Sequence, residues 1–134
     1  MKKRRAIPRL DGGPQTILLV EDVDRTALFY RETLRLEAKD GDGKRYVEFD
    51  AGDGGTLLIV QGDGSIPPHD GQGPLHVAFA IDDRDYGGWC ARLSSLGIEI
   101  ESETHWERGG RSVYFRDADQ HLVELVTPGI WPNY

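Results

Sequence analysis

Apolar residues follow two rhythms along this chain. In "QTILLV" (15–20) and "HVAFA" (76–80) they gather in short runs that read as strands. The stretches that follow, "EDVDRTALFYR" (21–31) and "DDRDYGGWCAR" (82–92), open with acidic residues able to cap a helix and continue amphipathically for about three turns. Further on, "RYVEFDAGDGGTLLIV" (45–60) and "RSVYFRDADQHLVELV" (111–126) each read as two strands joined by a polar turn.

These stretches are copies of one another. Laying residues 15–31 over 76–92 sets Asp22 on Asp83, Asp24 on Asp85, Arg31 on Arg92 and Val20 on Ile81. Laying 45–60 over 111–126 sets Arg45 on Arg111, Val47 on Val113, Phe49 on Phe115 and Val60 on Val126. The second shift is longer, so the second copy carries an insertion, most simply near "ETHWERGG" (103–110). Each half is therefore predicted as a strand, a helix and then about three strands, which makes an α+β protein. Gly/Pro-rich "QGDGSIPPHDGQGP" (61–74) joins the halves. The expected boundaries are a flexible basic tail at 1–13, module one at 14–62, a linker at 63–73, module two at 74–128 within a domain ending at 130, and a tail at 131–134.

"HLVELV" (121–126) places one carboxylate, Glu124, inside a run that otherwise reads as a buried strand. A buried ionised carboxylate needs a cation, a metal or several hydrogen-bond donors beside it. The repeat sets Leu58 on Glu124 and Gln15 on His76. If the halves pack about a pseudo-twofold axis into one cupped sheet, Gln15, Leu58, His76 and Glu124 converge inside it. Three of these four can coordinate a divalent cation, and the mixed nitrogen and oxygen donor set suits Zn, Ni, Fe, Mn or Co. Three protein ligands leave open positions for water or substrate, the pattern of a catalytic metal. The bland alternative is a satisfied core histidine and a carboxylate paired with arginine.

Composition narrows the partners. A formal charge of −7, with basic residues clustered only in the first few positions, argues against nucleic acid. No run approaches the ~18 apolar residues of a membrane span. "MKKRRAIPRLDGG" has the charges of a signal peptide without its apolar core. The single cysteine, Cys90, cannot form an internal disulfide and reads as a small core filler, which fits a cytoplasmic setting.

Three stretches carry a family resemblance: "VEDVDRTALFYRETLRLE", "GPLHVAFAID" and "GGRSVYFRDADQHLVELVTPGIW". The last is the most specific, with its aromatic strand, Asp-rich turn and His-x-x-Glu ending. Across roughly residues 14–130 the chain resembles the vicinal oxygen chelate superfamily, the glyoxalase, bleomycin-resistance protein and dioxygenase type. The resemblance implies two pseudo-twofold-related βαβββ modules forming an open, cupped mixed sheet, usually as a homodimer, around a divalent metal that binds substrates through two adjacent oxygens. It places the ligand positions on Gln15, His76 and Glu124, with the fourth on Leu58, where four-ligand glyoxalase I enzymes have Glu. The fosfomycin-resistance thiol transferases use three ligands, and "WERGGRS" resembles their Gly/Ser loop.

The expected function is thus a divalent-metal-dependent enzyme of lyase, isomerase or thiol-transferase type, acting on a small oxygen-chelating substrate. No unmistakable general base is visible unless metal-bound water or a displaced Glu124 takes that role, which makes Glu124 the catalytic candidate. The alternative is a metal-free binding protein that sequesters a small molecule as bleomycin-resistance proteins do. Arg111, Tyr114 and the linker residue His69 are candidate substrate contacts, alongside Leu58. Trp106 and His105 are candidates for a pocket rim. His121 is expected on the opposite strand face from Glu124.

Overall fold

The computed structural model describes residue 8 and residues 15–62 and 75–132. Module one contains β1 (Gln15–Val20), α1 (Val23–Leu34), β2 (Glu37–Gly41), β3 (Tyr46–Asp50) and β4 (Thr56–Gln61). Module two repeats the order with β5 (His76–Ala80), α2 (Tyr86–Ser95), β6 (Ser102–His105), β7 (Arg111–Arg116) and β8 (Leu122–Val126). The expected basic tail, most of the linker with His69, and Tyr134 lie outside the described residues. Among the described residues no helix is long and apolar enough to cross a membrane.

Each module is one four-stranded sheet, in the orders β1-β4-β3-β2 and β5-β8-β7-β6. The first and last strands of each module run parallel, because the helix between them carries the chain back across the sheet. The two registers are equivalent. Gln15 faces Thr56 as His76 faces Leu122, and Glu48 faces Leu58 as Tyr114 faces Glu124. The extra length of module two falls largely in the β6–β7 hairpin, at residues 106–110.

Helix α1 starts where Asp22 accepts a hydrogen bond from the Arg25 amide, and it ends at Arg35 in the left-handed conformation. Its buried positions, Val23, Thr26, Ala27, Tyr30, Thr33 and Leu34, recur at three- and four-residue steps. In module two the acidic turn behaves differently. Asp82 caps a single 3₁₀ turn, Asp83–Asp85, and α2 follows directly from it.

Both modules feed one apolar core. Phe49, Ile59, Val113, Phe115 and Val123 are fully buried on the inner faces of the two sheets, with Tyr30 and Leu93 from the helices. Phe29 meets Phe115 and Tyr30 meets Phe79, so α1 packs onto the second module.

A polar clamp reinforces that contact. Asp117, in the β7–β8 turn, accepts from the Tyr30 hydroxyl at 2.7 Å, from His121 Nδ1 at 2.7 Å and from the amides of Asp119 and His121. Its neighbour Asp119 accepts from Thr26 and Arg25. His121 therefore serves the fold on the face away from Glu124, as the strand alternation predicts. The hydrogen bond to Asp117 raises the His121 pKa above its ordinary 6.5, against the opposing effect of burial. Burial pushes the Asp117 carboxyl up, but the His121 and Tyr30 hydrogen bonds outweigh it and leave its pKa below 3.8.

These shifts set a pH window. His121 is more basic folded than unfolded, so its contribution is complete below about pH 6.5 and is lost as pH rises through the folded value. Asp117 is more acidic folded, so its contribution is present above about pH 3.8 and is lost as pH falls through the folded value. Thermal melts across pH should show an alkaline decline that starts above pH 6.5, flattened in His121→Gln.

Candidate active site

The outer face of the second sheet holds a cavity of about 540 Å³. Its floor is formed by His76 and Ala78 on β5 and by Glu124 and Val126 on β8, with Tyr114 on β7 beside them. Parallel pairing puts Ala78 opposite Glu124 and antiparallel pairing puts Tyr114 opposite it. These positions therefore share one face by register alone.

His76 Nε2 donates to Glu124 Oε1 at 2.9 Å. The other carboxylate oxygen, Oε2, accepts from the Ser112 hydroxyl at 2.6 Å, and Ser112 Oγ in turn accepts from Trp106 Nε1 at 2.9 Å. The partner sought for Glu124 is thus a histidine plus an oriented hydroxyl, and Arg111 is not part of the set. The Glu124 side chain is 8% exposed while that of His76 is 49% exposed, so the pair has a buried side and a side open to the cavity.

The pair fits a divalent cation. An imidazole nitrogen and a carboxylate oxygen side by side at the floor of an open cavity are the mixed donor types that such cations take. Ser112 fixes the carboxylate's second oxygen and leaves Oε1 facing the imidazole. Within one chain the pair is incomplete, since no cluster of three or more His, Cys, Asp or Glu able to hold a metal occurs among the described residues.

Other expected site residues are distributed differently. Gln15 and Leu58 do not meet His76 and Glu124 within one chain, because they lie on the separate first sheet and do not line this cavity. The reason is which faces pack. The modules join through α1 and the inner sheet faces, leaving the outer faces open, with Gln15 exposed and Ile17 41% exposed.

Arg111 also lies away from the cavity lining. It pairs with Asp83 at 3.0 Å and covers the Tyr86 ring with its guanidinium 4.2 Å from the ring centre. Tyr114 does line the cavity, its ring centre 6.1 Å from that of His76. His105 is exposed and absent from the lining. Cys90 is half-buried, and burial together with the nearby Glu103 pushes its thiol pKa up, in the direction of an inert group.

Ser112 is not singled out by the sequence, and Trp131, which reads there as an exposed terminal aromatic packing against the body or a second subunit, lines the cavity. Ser112 precedes Tyr114 by two on the same strand face, so alternation from Tyr114 could have found it once the register to Glu124 was known. Ser112→Ala should weaken Mn(II) binding about 10- to 100-fold with little change in fold, read by isothermal titration calorimetry.

Comparisons with known proteins identify the family of the fold. The chain is 33% identical over 122 residues to the fosfomycin resistance protein FosX of Listeria monocytogenes, covering 87% of this chain and 89% of that one. A solved structure of a FosX variant from that organism, complexed with Mn(II) and 1S,2S-dihydroxypropylphosphonic acid, matches with a TM-score of 0.67 at 29% identity, covering 87% of this chain and 90% of that one. The metallothiol transferase FosB of Shouchella clausii is 31% identical over 81% of this chain and 74% of its own length. The crystal structure of lactoylglutathione lyase from Agrobacterium tumefaciens matches with a TM-score of 0.81 at 29% identity, over 88% of this chain and 94% of that one. The family model described as "Glyoxalase/Bleomycin resistance protein/Dioxygenase superfamily" matches residues 13–125, and the chain belongs to that superfamily.

Proposed function

We propose that this protein is a divalent-metal-dependent enzyme acting on a small substrate that chelates through adjacent oxygens, with lyase, isomerase or thiol-transferase chemistry. The observation that carries this reading is the His76–Glu124 pair, two donors of different type 2.9 Å apart at the floor of an open cavity. Its relatives include a metallothiol transferase and a protein solved with Mn(II), which supports the same class.

When bound, the cation supplies Lewis-acid polarisation of a substrate oxygen. The residues of this chain do the rest. His76 offers its Nε2, on the side of the pair open to the cavity, as the nitrogen donor. Ser112 holds the Glu124 carboxylate in one orientation, and Tyr114 presents its ring beside the imidazole. Glu124 is the candidate base, because its carboxylate lies at the cavity floor, where it would face the reacting atoms of a bound substrate.

The third ligand belongs to a homodimer in this reading. Gln15 and Ile17 stand exposed on the first sheet, at the positions equivalent to His76 and Ala78. Gln15 of a second copy completes the set, and Leu58 closes the cup without ligating.

One observation favours the metal-free alternative. His76, Glu124 and Ser112 already satisfy one another, so the pair can persist as a binding wall without a cation. Elemental mass spectrometry after incubation with Mn(II), Zn(II) or Ni(II) separates the readings. Near-stoichiometric metal is expected. Protein that stays empty under all three conditions leaves the binding module.

A further inference from the structure

Resting on the reading of this cavity as the ligand site, we infer that its substrate is an oxygen chelator with an aromatic or similarly flat apolar body, rather than a compact phosphonate or phosphate. The argument starts at the rim. The inserted β6–β7 hairpin contributes Trp106, and the segment after β8 contributes Ile130 and Trp131. Two glycines bring these segments together. The Gly110 amide donates to the Gly129 carbonyl at 3.0 Å, and a Cβ on Gly129 would stand 2.6 Å from the Gly110 nitrogen. The contact therefore needs glycine at residue 129, whose φ of +109° also favours it.

The Trp106 ring is anchored through Ser112 to the carboxylate at the floor, while Trp131 remains 64% exposed. The ligand site thus sets a chelating floor beside an aromatic rim. A cavity of about 540 Å³ lies in the range that holds drug-sized ligands, well beyond a three-carbon acid.

Charge points the same way. A compact dianion calls for several converging cations, typically arginines in bidentate contact. Among the described lining residues Arg108 is the one cation, and Glu107 stands beside it. Arg111 is committed to Asp83. The open face of the first sheet, which a second copy would bring, offers Tyr46, Glu48 and Asp50 on β3, and Glu37 and Asp40 face Asp50 and Glu48 across from β2. Lys39 pairs with Glu37, and Asp40, Glu48 and Asp50 still leave that face net acidic, which suits a neutral or cationic body.

The test is calorimetric titration of naphthalene-2,3-diol and of 1,2-dihydroxypropylphosphonate into the full chain, with and without Mn(II), together with Trp131→Ala. Trp131 is so exposed that its replacement spares the fold and the His76–Glu124 pair. The naphthalenediol is expected to bind at least tenfold more tightly than the phosphonate, and Trp131→Ala to weaken it about tenfold while leaving the phosphonate unchanged. Equal or tighter phosphonate binding, or indifference to Trp131→Ala, overturns the inference. Titration of Mn(II) alone tests the metal-site reading separately. If Mn(II) does not bind, the enzyme reading falls, and the ratio of the two ligands on metal-free protein still decides the aromatic preference.

Discussion

Glu124→Ala is expected to abolish stoichiometric binding of Mn(II), weakening its affinity by more than about 100-fold. Altering only the groups that orient a ligand commonly costs about 10- to 100-fold, and loss of the ligand itself goes further. His76→Ala should do the same, because the site holds one nitrogen and one carboxylate donor and neither can replace the other. Glu124→Gln is the informative companion. It keeps the side-chain volume and can still bond to Ser112 and His76, but it removes the charge that draws the cation. The expected pattern is three folded proteins with unchanged melting profiles in chelator and with metal binding lost or severely weakened. If Glu124→Ala retained wild-type Mn(II) affinity, the metal would have to lie elsewhere and the proposed site would be wrong.

Asp117→Ala should be the most damaging single change to stability, costing about 3–5 kcal/mol and lowering the melting temperature by roughly 10–20 °C. The Asp117 side chain is completely buried and accepts from Tyr30, from the His121 ring and from two backbone amides. Removing it strands a buried imidazole of raised pKa and a buried phenol, each desolvated without a partner. Tyr30→Phe removes one donor and leaves the carboxylate its other partners, so about 1.5–3 kcal/mol is expected. Chemical denaturation of the two variants checks the order. An Asp117→Ala protein within about 1 kcal/mol of wild type would show that the clamp is dispensable, with the apolar contacts of α1 alone joining the modules.

Much of this architecture is written in local pattern. The two laid-over copies reproduce the actual strand registers, because each strand's in-and-out alternation and each helix's cap depend on residues only a few positions apart. The unusual position of Glu124 within "HLVELV" called for a partner, and the structure supplies His76 and Ser112, since few buried carboxylates lack one. The place of the insertion was legible too, because the two copies fall out of step at 103–110.

Other parts were not legible. Arg111 aligns with the site in sequence, yet it turns to Asp83 and the Tyr86 ring. Trp131 follows the Pro-Gly stop and reads as a tail, but it lines the cavity beside Ile130 because Gly110 and Gly129 allow their backbones to touch.

Local pattern was enough to set out the two modules and the chemical character of His76 and Glu124, since alternation, capping and turn formation act over short spans of chain, whereas strand order within each sheet was expected only from the family resemblance. Long-range packing set how the modules meet, through α1 and their inner faces, leaving Gln15 and Leu58 on a sheet apart from the His76–Glu124 cavity. Which faces of two sheets close on each other is set by the summed burial of Phe49, Ile59, Val113, Phe115 and Val123 from both halves at once, and no short stretch of chain carries that sum.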